Sequence, residues 1–150
     1  MENISYSYTF FNKQYGVEVK KGVSGIKPPI TGKIYLRFFP IEKGNKDQQI
    51  IVKLTPSESF AGSINIKETI RTKKSVQTLI HKFDTDSGPT VTSVKFDAWE
   101  RNGRSGYGIA VARTVNGKGK QISISLSYSD MLFMSEILKV WAVESCYIKN

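Results

Sequence analysis

Lys33, Tyr35, Arg37 and Phe39 alternate with Ile34, Leu36 and Phe38 within Thr31–Glu42. In an extended chain this puts two cations and two aromatic rings on one side. Lys95, Trp99 and Arg101 repeat the mixture in Thr90–Arg101, opposite Val94, Phe96 and Ala98. Tyr107 and Arg113 repeat it more sparsely. Arg101-Asn102-Gly103-Arg104 and Lys118-Gly119-Lys120 add cations where tight turns are expected. A cation neutralises phosphate, and a flat ring stacks on a base of any identity. Together they suit a groove for single-stranded nucleic acid. The candidate contacts are therefore Lys33, Tyr35, Arg37, Phe39, Lys95, Trp99, Arg101, Arg104, Tyr107, Arg113, Lys118 and Lys120. Charges flanking Tyr35 argue against its burial, because an unpaired buried charge is costly. Phe38 and Phe96 fall on the apolar sides and belong to the core. Tyr6 and Tyr8 lack flanking basic residues and are assigned to the core too.

Other chemistries find little support. His81 is the single histidine, so neither a His-paired metal site nor a His/His acid–base pair can form. Asp84, Asp86 and Glu100 could hold magnesium for a nuclease. Asp86-Ser87-Gly88-Pro89 reads more naturally as a turn, where aspartate bonds its own backbone. Gly117-Lys118-Gly119-Lys120 has neither the spacing nor the strand-to-helix setting of a phosphate loop. The expectation is a binding protein without catalytic residues, metal or cofactor. Lys and Arg total 22 against 13 acidic residues, a formal charge of +9, which favours polyanionic partners. No run approaches the ~20 apolar residues of a membrane span, and the start lacks the features of a secretory signal. The lone cysteine, Cys146, fits a reducing cytoplasm.

Strands dominate the elements that must position these side chains. Ile4–Asn12, Tyr15–Lys21, Thr31–Glu42 and Gln48–Leu54 alternate or run apolar, with a Gly/Pro break at Gly22–Pro29. Thr55-Pro56-Ser57-Glu58 then reads as an N-cap, a proline at the first helical position and a capping box. That helix carries Phe60, Ala61 and Ile64 and ends near Arg71. Ser75–Asp84, Thr90–Arg101, Ser105–Arg113 and Lys120–Leu126 are four more strands. Asn102-Gly103 and Asn116-Gly117 mark two hairpins among them, because both dipeptides tolerate positive φ. Ser129–Ser145 closes the order as a helix with an apolar stripe of Met134, Ile137, Leu138 and Trp141.

The halves, about 1–74 and 75–150, align at an offset of 72. Thr55 meets Ser127, Glu58 meets Asp130, Phe60 meets Leu132, Ser63 meets Ser135 and Tyr35 meets Tyr107. The expected fold is α+β: duplicated β-β-β-β-α units in one domain, antiparallel sheets with two helices packed at one end. Through the junctions Leu54-Thr55-Pro56-Ser57-Glu58 and Leu126-Ser127-Tyr128-Ser129-Asp130, this order resembles the Whirly family of single-stranded-DNA-binding proteins. It is similar also to the transcriptional positive cofactors and small phage single-strand binders. Lys118-Gly119-Lys120 looks like the opening of a plant Whirly signature, but Gln121 and Ile122 stand where that signature has alanines. The resemblance implies binding of single strands along the sheet faces and homo-oligomers assembled through the helices. RNA is a second candidate ligand, since stacking platforms read both acids. A protein-assembly module, of viral type for instance, is the alternative from another class.

Overall fold

Period-two alternation becomes eight antiparallel strands in the computed structural model, which describes residues 4–23, 32–42 and 48–145. Side chains are described throughout these ranges except at residues 4, 5, 23, 32 and 33. Most of the Gly22–Pro29 break, the first residue of Thr31–Glu42 and Cys146 lie outside the described residues. Strands β1 (Ile4–Phe11), β2 (Tyr15–Val23), β3 (Gly32–Pro40) and β4 (Ile50–Leu54) form one sheet in that order. Strands β5 (Val76–Thr85), β6 (Gly88–Arg101), β7 (Arg104–Val115) and β8 (Lys118–Leu126) form the other. A helix follows each sheet, α1 (Pro56–Thr72) and α2 (Tyr128–Ser145). The molecule is a duplicated β-β-β-β-α unit.

Turn chemistry sets the second sheet. Asn102 and Gly103 have φ of 51° and 78°, and Asn116 and Gly117 have 50° and 82°, the left-handed pair that a two-residue hairpin turn demands. The turn between β5 and β6 is tighter than expected. Thr85 already pairs with Gly88, so Pro89 lies inside β6 and Asp86-Ser87 alone make the bend.

One face of each sheet is apolar, and the two faces share a core. Val17, Val19, Ile34, Leu36, Phe38, Ile50 and Val52 are buried from the first sheet, as are Val94, Phe96, Ile109, Val111 and Ile124 from the second. Phe38 and Phe96 are both within it. Tyr6 and Tyr8 differ from expectation. They sit on the core side of β1 yet are 53% and 44% exposed, because β1 is the outermost strand of its sheet. Tyr8 packs edge-on against Phe133 of α2, with ring centroids 4.8 Å apart.

Helix α1 begins as the sequence predicts. Thr55 Oγ1 accepts from the Glu58 N–H at 3.2 Å, and Glu58 Oε1 accepts from the Thr55 N–H at 2.9 Å. Which face it buries is less expected. Ser59, Gly62, Ser63, Ile66 and Thr69 are inside, while Phe60 and Ile64 are exposed. Small residues let α2 approach: a Cβ at Gly62 would stand 3.3 Å from Leu138. Ser63 and Ser135, which the 72-residue offset equates, share a hydrogen bond of 3.0 Å between their hydroxyls. The repeat axis therefore runs between the helices. Ser127 caps α2 as Thr55 caps α1, accepting from the Asp130 N–H at 3.1 Å. The stripe of α2 is taken up by the chain's own core, with Met134, Ile137 and Leu138 buried and Trp141 packed against them.

Candidate nucleic-acid interface

Register decides which basic and aromatic residues meet. On the outer face of the first sheet, Lys20, Tyr35 and Lys53 lie directly opposite one another across β2, β3 and β4. Lys20 and Lys53 are exposed, and Tyr35 is half-buried between them. Neither lysine stands out in the sequence, since each belongs to a different strand and only the pairing makes them neighbours. One row further on, the Arg37 Nε–H donates to Glu18 Oε1 at 3.0 Å and Nη1 donates to Gln49 Oε1 at 3.2 Å. The Arg37 guanidinium also lies 4.2 Å from the centre of the Phe39 ring. Phe39 in turn lies across Gly16, where a Cβ would come within 2.5 Å of the ring. Arg37 and Phe39 thus form a braced pair, with the cation already engaged by a carboxylate. Lys33 lies on the same strand face by register, though its side chain is outside the described residues.

The outer face of the second sheet carries Lys95, Asp97, Trp99 and Arg101 along β6. Trp99 lies across Gly106 of β7, where a Cβ would approach the indole to 2.4 Å. The missing side chain gives the ring a seat on the strand, and Trp99 remains 36% exposed. Beside it runs an open groove of about 890 Å³, lined by Asp97, Trp99, Arg101, Asn102, Arg104, Gly108, Ser123 and Ser125 among others. Gly108 keeps its floor low. A Cβ there would meet the Ile124 carbonyl oxygen at 2.5 Å, so the β7–β8 pairing itself demands glycine. Lys95 Nζ stands 3.4 Å from Asp97 Oδ1 at the inner end. Arg101 and Arg104, both exposed, hold the hairpin end.

The remaining candidates fall elsewhere. Tyr107 and Arg113 are on the core-facing side of β7, in rows with Leu126 and Thr92 respectively. Tyr107 packs against the core, and its ring centre is 6.4 Å from that of Tyr128. The Arg113 Nε–H donates to Thr92 Oγ1 at 2.9 Å, and Nη2 donates to the Ile51 carbonyl of the other sheet at 2.7 Å. Burial lowers the pKa of that guanidinium, which stays charged at any working pH. Arg113 is a strut between the sheets. Lys118 and Lys120 lie on the same side as Arg113, at the opposite end of the sheet from Arg101 and Arg104. These four residues do not join the Trp99 groove.

Tyr35 and Tyr107, equated by the 72-residue offset, are not structural equivalents. Leu54 pairs with Ile34, and Leu126 pairs with Tyr107, so β3 and β7 correspond at 107 minus 34, or 73. A slip of one residue moves a side chain to the other face of a sheet. The true counterpart of Tyr35 is Gly108.

Among the described residues, no three His, Cys, Asp or Glu side chains gather as a metal-binding group, and no helix is long and apolar enough to cross a membrane. His81 is engaged instead at the foot of α1, its Nε2 2.7 Å from Glu58 Oε2.

Two four-stranded antiparallel sheets, each followed by a helix, with basic and aromatic residues on their outer faces, define a Whirly-like fold. Solved structures share it, among them two plant proteins. The plant transcriptional regulator PBF-2 superposes with a TM-score of 0.67 at 14% identity, covering 95% of this chain and 82% of that one. WHY1 from Arabidopsis thaliana superposes with a TM-score of 0.70 at 10% identity, covering 95% and 91%. No protein-family model matches the sequence, and no curated protein sequence does.

Proposed function

We propose that this chain binds single-stranded DNA with little sequence preference, by electrostatic capture followed by base stacking. The observation that carries the reading is Trp99, seated on Gly106 at the lip of a groove whose far end holds Arg101 and Arg104. A ring held on a strand stacks a base at a reduced ordering cost, and nearby guanidinium groups meet the phosphates. Lys20, Tyr35 and Lys53 supply a second platform on the other sheet. The Whirly-like fold supports the reading, as does the formal charge of +9.

Residues 1–150 act together as one binding domain in this reading, supported by a core drawn from both halves and by the Arg113 strut. Homo-oligomers form through the helices. Phe60 and Ile64 of α1 and Phe133, Val140 and Val143 of α2 are exposed apolar residues that such an interface would cover. Sedimentation of the purified chain checks that part, with a monomer at micromolar concentration as the result against it.

Binding to an oligothymidine in a salt series tests the function. Affinity falls steeply as salt rises, and Trp99→Ala lowers it by about 1–3 kcal/mol, the value of one stacked base. Equal affinity for duplex DNA, or a salt-insensitive isotherm, overturns the reading. RNA as competitor separates the two acids.

A further inference from the structure

The two halves diverge at one corresponding position. In the first sheet Tyr35 stands between Lys20 and Lys53; in the second, Gly108 stands between Asp97 and Ser125. The first half fills this place with its own aromatic ring, and the second leaves it without a side chain, as part of the groove beside Trp99. No side chain can grow into it from Gly108, since a Cβ there would meet the Ile124 carbonyl oxygen.

The charge at this place is reversed as well. Lysines flank Tyr35, whereas a carboxylate borders the groove. A carboxylate repels phosphate, so this spot does not take the nucleic-acid backbone. It accepts N–H donors instead, through two oxygens with about four lone-pair sites. Lys95 approaches Oδ1 alone, at 3.4 Å, leaving acceptor capacity on both oxygens. Guanine is the base that presents two parallel N–H donors on one edge, N1–H and the N2 amino group. Cytosine and adenine present one amino group each, and thymine's N3–H lies between two carbonyls that the carboxylate repels. Paired, parallel bonds to an ionised acceptor are the stronger and more selective arrangement.

We propose that the groove holds one guanine, stacked on Trp99 with its N1–H and N2–H edge on Asp97. The binding is then sequence-tolerant along the strand but selective at one position. This inference rests on the single-strand reading above, and the test distinguishes their failures. Fluorescence anisotropy compares a short oligothymidine, long enough for one protein, with the same strand carrying one central guanine or one central hypoxanthine, which lacks the N2 amino group.

The guanine strand binds about fivefold tighter than the all-thymine strand, the lower end of what a bidentate pair discriminates. Hypoxanthine loses most of that gain. In Asp97→Asn the guanine and all-thymine strands bind alike, whatever the change in their common affinity. Equal wild-type affinities for guanine and thymine strands overturn the guanine site and leave single-strand binding intact. A preference that survives Asp97→Asn overturns it equally. Failure of the wild-type chain to bind any of the strands removes both readings.

Discussion

Trp99 and Gly106 form a unit in which the absence of one side chain gives the other its position. Gly106 does not hold a positive φ, so alanine meets no backbone strain there, and the three atoms nearest to its Cβ all belong to the indole, the first 2.4 Å away. Gly106→Ala therefore lifts Trp99 from the strand without disturbing the fold. In a Trp141→Phe background, where Trp99 is the sole indole, its emission shifts and affinity for oligothymidine falls toward that of Trp99→Ala. An unchanged spectrum together with unchanged affinity would show that the glycine seat is irrelevant to binding. Phe39 on Gly16 repeats the device with the strands exchanged, since the aromatic there comes from β3 and the glycine from β2. There the nearby Arg37 is held by Glu18 and Gln49, so the cation is less available to phosphate.

The start of α1 is where an element and a neighbouring sheet are joined by one carboxylate. Glu58 closes the capping box through Oε1 and meets His81 of β5 through Oε2. Burial raises its pKa, but the Thr55 N–H and the His81 ring outweigh that, and the net position is below the ordinary 4.5. A folded-state value below the unfolded one means the carboxylate stabilises the fold above the unfolded pKa. That contribution is lost as pH falls through the folded value. Glu58→Gln consequently shows a shallower loss of urea stability than the wild type between neutral pH and pH ~3, while being less stable at pH 7 by about 1 kcal/mol, the usual scale of a capping interaction. Parallel acid limbs for the two proteins would count against the role given to Glu58.

Across the whole molecule, the charge excess is distributed over two sheets whose apolar faces are used up by a common core. Each sheet has only its outer face left for a ligand. Lys20 and Lys53 are exposed on that surface by register, unlike Arg113, whose donors are committed to Thr92 and to Ile51 of the facing sheet. The double variant Lys20→Ala/Lys53→Ala reduces the slope of log affinity against log salt by about 1–2, as expected for the loss of up to two phosphate contacts. Its affinity drops alike for all base sequences. An unaltered slope would assign the phosphate path to the second sheet alone.

Much of this was legible from the sequence because it depends on short-range rules. Alternation, a short apolar run and turn residues marked the eight strands, Asn-Gly pairs marked two hairpins by their tolerance of positive φ, and Thr55 with Glu58 marked the start of α1. The opposition of Ile34, Leu36 and Phe38 to Tyr35, Arg37 and Phe39 follows from the same period of two. What the sequence left open depends on which strands become neighbours and in what register. Lys20 and Lys53 are 33 residues apart and meet only through β3, while a slip of one residue puts Tyr107 on the core side, away from the groove. Helix α1 buries serines and glycine in place of Phe60 and Ile64, because the close approach of α2 rewards small volume over hydrophobicity. Local periodicity names the faces of an element, but long-range pairing decides what each face meets.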